Sequence, residues 1–195
     1  MSGMFDFLPP WARTKAAAAL VVAALQIGVL TWIVLDRVLL VKNGQEIVLP
    51  IVPVDPRDLF KGDYVRLGYQ ISRAPGTVVE KPEPAYKQQA YATIAPNVEG
   101  VWAVTKISVR YPQEVPAGSS VVQVRTQGPW QMRSGQLLLT YGLERFYVPE
   151  GKGLALEKAA RDKKLAAIVA VDTQGRTAIK GLSIDGTRVY DEPMW

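Results

Sequence analysis

Residues 16–35 read AAAALVVAALQIGVLTWIVL, a run of 20 positions without a charged side chain. A helix of about 20 apolar residues is long enough to cross the hydrocarbon core of a bilayer. Lys15 comes directly before the run and Asp36 directly after it, so the uncharged segment has sharp ends. The stretch predicts one transmembrane helix over residues 16–36.

A cleaved signal peptide is the main alternative to an anchor. The apolar region of a signal peptide usually has about 7–15 residues and ends at a site of small side chains. The run here is longer, and residues 36–41 (DRVLLV) after it contain no small residue. We therefore expect the helix to remain in the mature protein.

The charges on either side of the helix predict its orientation. Arg13 and Lys15 favour a cytoplasmic N-terminus, whereas Arg37 and Lys42 partly offset that bias. We expect residues 1–15 to form a cytoplasmic tail. The rest of the chain then lies outside the cytoplasm, in the periplasm if the cell is a Gram-negative bacterium.

Small side chains collect on one face of the predicted helix. Ala17, Ala24, Gly28 and Thr31 are spaced by seven, four and three positions, which keeps them on one side. Small residues let two helices approach closely in lipid, and Gln26 offers a hydrogen bond to a neighbouring helix. The face predicts an integral membrane protein as partner. The alternative is a lone helix that is merely rich in alanine.

Two residue types are missing from the chain, and with them several classes of chemistry. There is neither cysteine nor histidine among the 195 residues. Disulfides, Cys or His metal sites, and Ser-His-Asp or Cys-His catalysis are therefore excluded. The net charge of +5 includes no dense basic cluster after the helix, so we expect no nucleic-acid partner. We predict no metal and no cofactor.

The sequence after the helix alternates short β-prone runs with prolines and tight turns. This pattern is typical of a mainly β fold. We predict a linker over residues 37–45 and a β-rich, barrel- or sandwich-like domain over residues 46–195, with one late helix. The strand candidates are residues 46–51, 64–72, 89–95, 101–109, 120–126, 136–141, 165–172, 177–183 and 187–190, and the helix covers residues 154–164.

The entrance of this domain carries the clearest local signals. In residues 55–62 (DPRDLFKG), Asp55 suits a helix cap, Pro56 the first helical position and Gly62 a left-handed stop, which predicts a single helical turn. Gly68, inside the strand that follows, indicates a bulge or a close backbone approach. Alternation along this strand assigns four side chains to the core: Val65, Leu67, Tyr69 and Ile71.

The same stretch resembles a known family. Residues 62–69 (GDYVRLGY) match every fixed position of the signature that names the bacterial GDYXXLXY protein family. Residues 55–59 and residues 141–151 (YGLERFYVPEG) resemble further parts of that family. The resemblance implies a protein anchored in the bacterial inner membrane, and it implies no particular chemistry. The matching signature positions are Gly62, Asp63, Tyr64, Leu67 and Tyr69.

A fainter likeness connects this region with signal peptidases and related Ser/Lys proteases. Those enzymes also pass from a membrane helix through a short turn and Gly-Asp into a strand. The position of their nucleophilic serine falls on Val54, which has no nucleophile. We therefore expect no protease activity, and a distant likeness of fold would not carry function.

We predict a non-catalytic accessory, assembly or interaction subunit of a bacterial membrane complex. Aromatic and arginine side chains are enriched where partners bind. The candidates outside the helix are Tyr141, Arg145, Tyr147 and the terminal Trp195. Core packing is the alternative role for the aromatic members of the 141–147 cluster.

The competing hypothesis is an envelope enzyme or ligand-binding domain that uses carboxylate, tyrosine and lysine groups. This hypothesis predicts one concave pocket in which Asp63 or Glu144 lies near Lys152 or Arg66. A cell-wall or membrane-surface sensor fits the same topology and has no residue of its own to test.

Overall fold

The computed structural model of the chain describes residues 10–52, 64–127, 135–147 and 153–191. The chain divides into two compact units, Met1–Leu39 and Leu40–Trp195. The first unit is helical, since helix α1 runs over Pro10–Asn43. Its segment Ala17–Asn43 has 27 residues and a mean hydropathy of 2.4, which makes it long and apolar enough to cross a membrane. The predicted N-terminal apolar helix is therefore present.

The second unit consists mostly of β-strands. In the part of the chain that the structure describes, the elements are β1 (Gln45–Val52), β2 (Tyr64–Arg66), β3 (Gly68–Tyr69), β4 (Arg73–Pro75), β5 (Gln89–Pro96), β6 (Trp102–Ser108), β7 (Ser120–Thr126), β8 (Gln136–Thr140), β9 (Arg145–Tyr147), α2 (Gly153–Arg161), β10 (Leu165–Val171), β11 (Thr177–Ile184) and β12 (Thr187–Asp191). These strands form three antiparallel sheets, in the orders β12-β11-β10-β1-β3, β4-β8-β7-β5-β6 and, for a short ribbon, β2-β9.

Hydrogen bonds from β7 link the two large sheets. The backbone N–H of Gln123 on β7 donates to the carbonyl of Gly175, in the β10–β11 turn, at 2.7 Å. The Ser120 hydroxyl, at the start of β7, donates to the side-chain carbonyl of Gln45 on β1 at 2.7 Å. The β-structure is nearly closed and barrel-like, which confirms the predicted mainly β fold with one short late helix.

One hydrophobic core fills the interior of this barrel-like structure. Mainly β-branched, leucine and alanine side chains supply it. Side chains that are at most 2% exposed include Ile47, Leu67, Ile94, Ile107, Leu137, Leu165, Val169 and Leu182.

The last turn of α1 belongs to this second unit. Leu40 and Val41 are buried in a small cluster with Ala170 and Ala178 of β10 and β11. Gly44 alone separates α1 from β1. A Cβ there would lie 2.7 Å from the carbonyl oxygen of Leu40, so a larger residue at this position requires the backbone to move.

Most predicted strands are present, with ends that differ by a residue or two. A hairpin joins β5 to β6 through a loop over residues 96–100, and tight turns occur at residues 172–175 and 185–186. The single predicted strand over residues 64–72 is wrong. It is interrupted at Leu67 and ends in a 3-10 turn over Gln70–Ser72, because β2 and β3 pair with different partners. The helical turn predicted over residues 55–62 lies outside the described residues.

Candidate functional site

The two blocks that resemble the family lie side by side in the structure. β2 and β9 pair antiparallel, with Tyr64 opposite Tyr147 and Arg66 opposite Arg145. The ring of Phe146 on β9 packs edge-on against Tyr190 of β12, with 5.3 Å between ring centroids. We call this arrangement, together with the turn over residues 141–144, the two-block junction.

Three hydrogen bonds hold the junction together. The N–H of Leu67 donates to the carbonyl of Glu144 at 2.9 Å. The hydroxyl of Tyr69 donates to the carbonyl of Leu143 at 3.0 Å, and that of Tyr141 donates to the carbonyl of Ile71 at 2.6 Å. Tyr69 of the first block thus bonds to the backbone of the second, and Tyr141 of the second bonds to the backbone two residues after the first.

Both phenols are buried and neutral. Tyr69 is 2% exposed and Tyr141 6%. Burial raises the pKa of both hydroxyls well above the usual value of 10.0, and the negative charge of Glu144 raises it further. With their protons held by carbonyl oxygens, these groups act as hydrogen-bond donors that fix the backbone, which is a structural role.

The turn that joins β8 to β9 is shaped by Glu144 and Gly142. The carboxylate of Glu144 accepts the N–H of Tyr141 at 2.5 Å, which closes the turn on itself. Gly142 has a φ of +76°, a region that favours glycine. The Thr177 hydroxyl of β11 donates to the carbonyl of Tyr141 at 3.3 Å, so the turn is also tied to the first sheet.

A shallow cleft of about 390 Å³ opens beside this turn, where β8 leaves β7. It contains one cation, Arg125, and one carboxylate, Glu144, and its other side chains are mostly polar. The cleft is an arrangement suited to hydrogen bonding with a polar group. The lining residues are Gln89, Gln123, Val124, Arg125, Thr140, Tyr141, Gly142 and Glu144.

The structure places only some of the signature residues. Leu67 and Tyr69 are core residues, as alternation predicts, and Ile71 is buried with them. Gly62 and Asp63 lie outside the described residues, as does the side chain of Tyr64.

The structure describes Glu144 but not the side chains that were predicted to share a pocket with it. Asp63 and Lys152 lie outside the described residues, and so does the side chain of Arg66. The cation that shares the cleft with Glu144 is Arg125, which the sequence reasoning missed. It lies directly across from Thr140 in the β7–β8 pairing, a contact that no sequence pattern reveals.

The candidate interaction residues outside the helix differ in exposure. Arg145 is exposed, whereas the Tyr141 ring is in the core. Trp195 and the side chain of Tyr147 lie outside the described residues. No group of three or more potential metal-ligating side chains occurs within the ranges that the structure describes.

The candidate face of α1 forms an apolar groove. Ala24 and Gly28 are its small lining residues, and a Cβ built at Gly28 meets no atom within 4 Å. Ala17 and Gln26 are exposed but do not line it. The groove has a volume of about 520 Å³ and is lined by Val21, Ala24, Leu25, Gly28, Val29 and Trp32.

The sequence also matches a known protein family. The sequence model described as "GDYXXLXY protein" matches residues 26–182, most of the chain. The chain belongs to the GDYXXLXY protein family. The match covers both halves of the two-block junction of this GDYXXLXY protein. No curated protein and no solved structure matches the chain.

Proposed function

We propose that this GDYXXLXY protein is a membrane-anchored, non-catalytic accessory or assembly subunit of a bacterial membrane complex. The observation that carries the proposal is the groove on α1. In lipid, helices associate through close packing, which small residues permit. Ala24 and Gly28 are the small residues that line this groove. The partner is a transmembrane helix of another integral membrane protein.

The rest of the molecule supports a binding role. The two buried phenols are committed to backbone carbonyls. The family signature residues Leu67 and Tyr69 pack in the core. Within the described residues the best-organised polar groups therefore maintain the fold, and we assign the partner contact to the helix.

The proposal also assigns a topology. The positive residues before the helix favour an N-terminus in the cytoplasm. The β-rich domain then lies in the periplasm or outside the cell, with α1 in the inner membrane.

Co-purification tests the helix contact. The tagged full-length protein and its Ala24→Leu, Gly28→Leu double variant are each isolated in mild detergent. The membrane partner that co-purifies in stoichiometric amount is quantified by mass spectrometry. The matched control is Ala19→Leu with Ala23→Leu, two small residues on the opposite side of α1. We expect partner loss of at least tenfold only in the groove variant. Equal recovery from both variants would contradict the proposal.

The absence of cysteine makes the topology simple to test. Val98, at the tip of the β5–β6 hairpin, is fully exposed, so Val98→Cys introduces a single accessible thiol. A membrane-impermeant maleimide should label this variant in intact spheroplasts and should label Ser2→Cys only after lysis. The reverse pattern would place the domain in the cytoplasm.

A second candidate function is a ligand-binding domain, which the Glu144–Arg125 cleft favours. A site with one anion and one cation suits a polar ligand with both charges. Under this alternative, Arg125→Ala and Glu144→Gln each abolish the cellular phenotype of the protein while partner recovery stays complete.

A further inference from the structure

A second concavity lies at the end of β6, away from the two-block junction. It has a volume of about 780 Å³ and is lined by residues 80–82, Lys106 and residues 108–114. This volume is within the range of about 300–1,000 Å³ that is usual for ligand sites. We call it the β6 basin.

Hydrogen bonds fix the walls of the basin. The N–H of Glu80 donates to the carbonyl of Ile107 at 2.8 Å, which joins the two lining segments. The Ser108 hydroxyl donates to the carbonyl of Arg110 at 2.7 Å and holds the bend after β6. The Tyr111 hydroxyl donates to the carbonyl of Thr173 at 3.0 Å. The basin is thus formed without a ligand, so binding requires little reordering.

The charges around the basin are not balanced. Lys106 pairs with Glu80 at 2.7 Å, which neutralises both. Lys81 and Arg110 are exposed, and neither forms an ion pair with any residue within the described ranges. Glu114 is the remaining carboxylate of the lining. Two available cations therefore face one available anion, which favours an anionic ligand that also carries hydrogen-bonding groups for Glu114.

Flat apolar surface accompanies these charges. Tyr111 is 41% exposed, and its hydroxyl is already bonded to Thr173, so the ring itself is the part available for contact. The ring is held by an edge-on contact with Tyr91 at 5.3 Å. Pro82 and Pro112 add further rigid apolar surface to the lining. This mixture suits a ligand that has both C–H faces and hydroxyl groups.

We propose that the β6 basin binds an anionic saccharide, whose carboxylate or phosphate is held by Lys81 and Arg110 and one of whose rings lies on Tyr111. An acidic peptide fits less well. The outer edge of β6 beside the basin is already occupied by Val79, which bridges to Ile107, and by Glu80. A peptide therefore finds no free strand edge to extend at this position. The proposal is independent of the helix contact.

Calorimetric titration of the full-length protein in an uncharged detergent tests this site. The probe is trigalacturonate, and the neutral comparison is maltotriose. We expect trigalacturonate to bind at least tenfold more tightly, because two charge-assisted hydrogen bonds contribute only to the acidic sugar. Replacing Lys81 and Arg110 together by alanine should weaken its binding at least tenfold.

The matched control removes the same charge elsewhere. Arg73→Ala with Lys158→Ala changes two exposed cations outside the basin, and binding of trigalacturonate should stay within twofold. All four positions are exposed, so the thermal midpoints should agree, which excludes unfolding as a cause. Tyr111→Leu should weaken the binding of both sugars, whereas Tyr111→Phe should leave the binding of both unchanged.

Three results would overturn the proposal. The first is the absence of any heat from trigalacturonate at millimolar concentration. The second is an equal loss of binding in the control variant, which would indicate general charge attraction. The third is a hexaglutamate peptide that binds as tightly as trigalacturonate with the same dependence on Lys81 and Arg110, which would assign the basin to acidic peptides.

Discussion

The hydroxyl of Tyr69 donates a hydrogen bond to the backbone carbonyl of Leu143 at 3.0 Å, across 74 positions of sequence. Tyr141 makes the reciprocal bond to Ile71. The signature block and the second block of the family therefore form one structural element. This gives Tyr69 and Tyr141 a structural role that requires no catalysis.

Replacing Tyr69 by phenylalanine should lower the free energy of unfolding by about 1–2 kcal/mol. The buried carbonyl of Leu143 is then left without this donor, and an unsatisfied buried acceptor costs roughly that much. Urea unfolding of the full-length protein in detergent, followed by the β signal in circular dichroism, measures the change. Tyr86→Phe, at a side chain that is 53% exposed, should change stability by less than about 0.5 kcal/mol. Equal effects of the two substitutions would show that the buried bond does not contribute.

Alkaline pH should unfold the domain through the two phenols. Their folded pKa values are raised, so below pH 10 both states are protonated and stability is unaffected. Above pH 10 the unfolded state releases protons that the folded state retains. Stability should then fall by about 1.4 kcal/mol per pH unit for each phenol. Urea unfolding between pH 9 and 12 measures this slope, and Tyr69→Phe should reduce it by about 1.4 kcal/mol per pH unit. The same slope in Tyr69→Phe as in the unaltered protein would show that the Tyr69 phenol does not cause the alkaline loss of stability.

The contact between the β10–β11 turn and β7 depends on Gly175. A Cβ at this position would lie 3.0 Å from the carbonyl oxygen of Val121, and its φ is +82°. Gly100 has a similar φ of +76° with open space around it. Gly100→Ala should therefore lower the free energy of unfolding by about 1 kcal/mol, through backbone strain alone. Gly175→Ala should lower it by about 2–4 kcal/mol. Thermal unfolding of both variants separates steric exclusion from strain, and equal losses would exclude the steric term.

Glu46 should contribute a small, salt-sensitive stability. A hydrogen bond from Lys180, followed by the positive charges of Lys180 and Arg188, lowers the pKa of this carboxyl below its usual 4.5. Because the folded pKa is lowered, the contribution is present above about pH 4.5 and is lost as pH falls through the folded value.

The side chain of Glu46 is 45% exposed, so solvent screening limits the effect to less than about 1 kcal/mol. Glu46→Gln should reduce stability at pH 7 in low salt, and 0.5 M salt should remove most of the difference. Glu114→Gln, which has no ion pair to a residue in the described ranges, serves as the control. If the stability lost in Glu46→Gln is the same in low and high salt, the side chain contributes through packing and not through its charge.

Local sequence patterns predicted much of the domain because they act over short distances. The alternation from Val122 to Thr126 in β7 and the turn residues Asp185 and Gly186 can be recognised from neighbouring positions of the sequence. The strand predicted over residues 64–72 failed because the break at Leu67 is set by a partner 77 positions later, Glu144. No local pattern contains that pairing.

The sequence by itself determined the apolar helix, the β-rich class, the exclusion of cysteine and histidine chemistry, and membership in the GDYXXLXY family. These follow from composition, from periodicity and from a contiguous signature. Only the tertiary structure decided that Tyr69 and Tyr141 bond across the two blocks, that Arg125 shares a cleft with Glu144, and that Lys81 and Arg110 lie in one basin. Each of these depends on strand order and register, which are set by long-range burial and hydrogen bonding across the whole barrel-like structure.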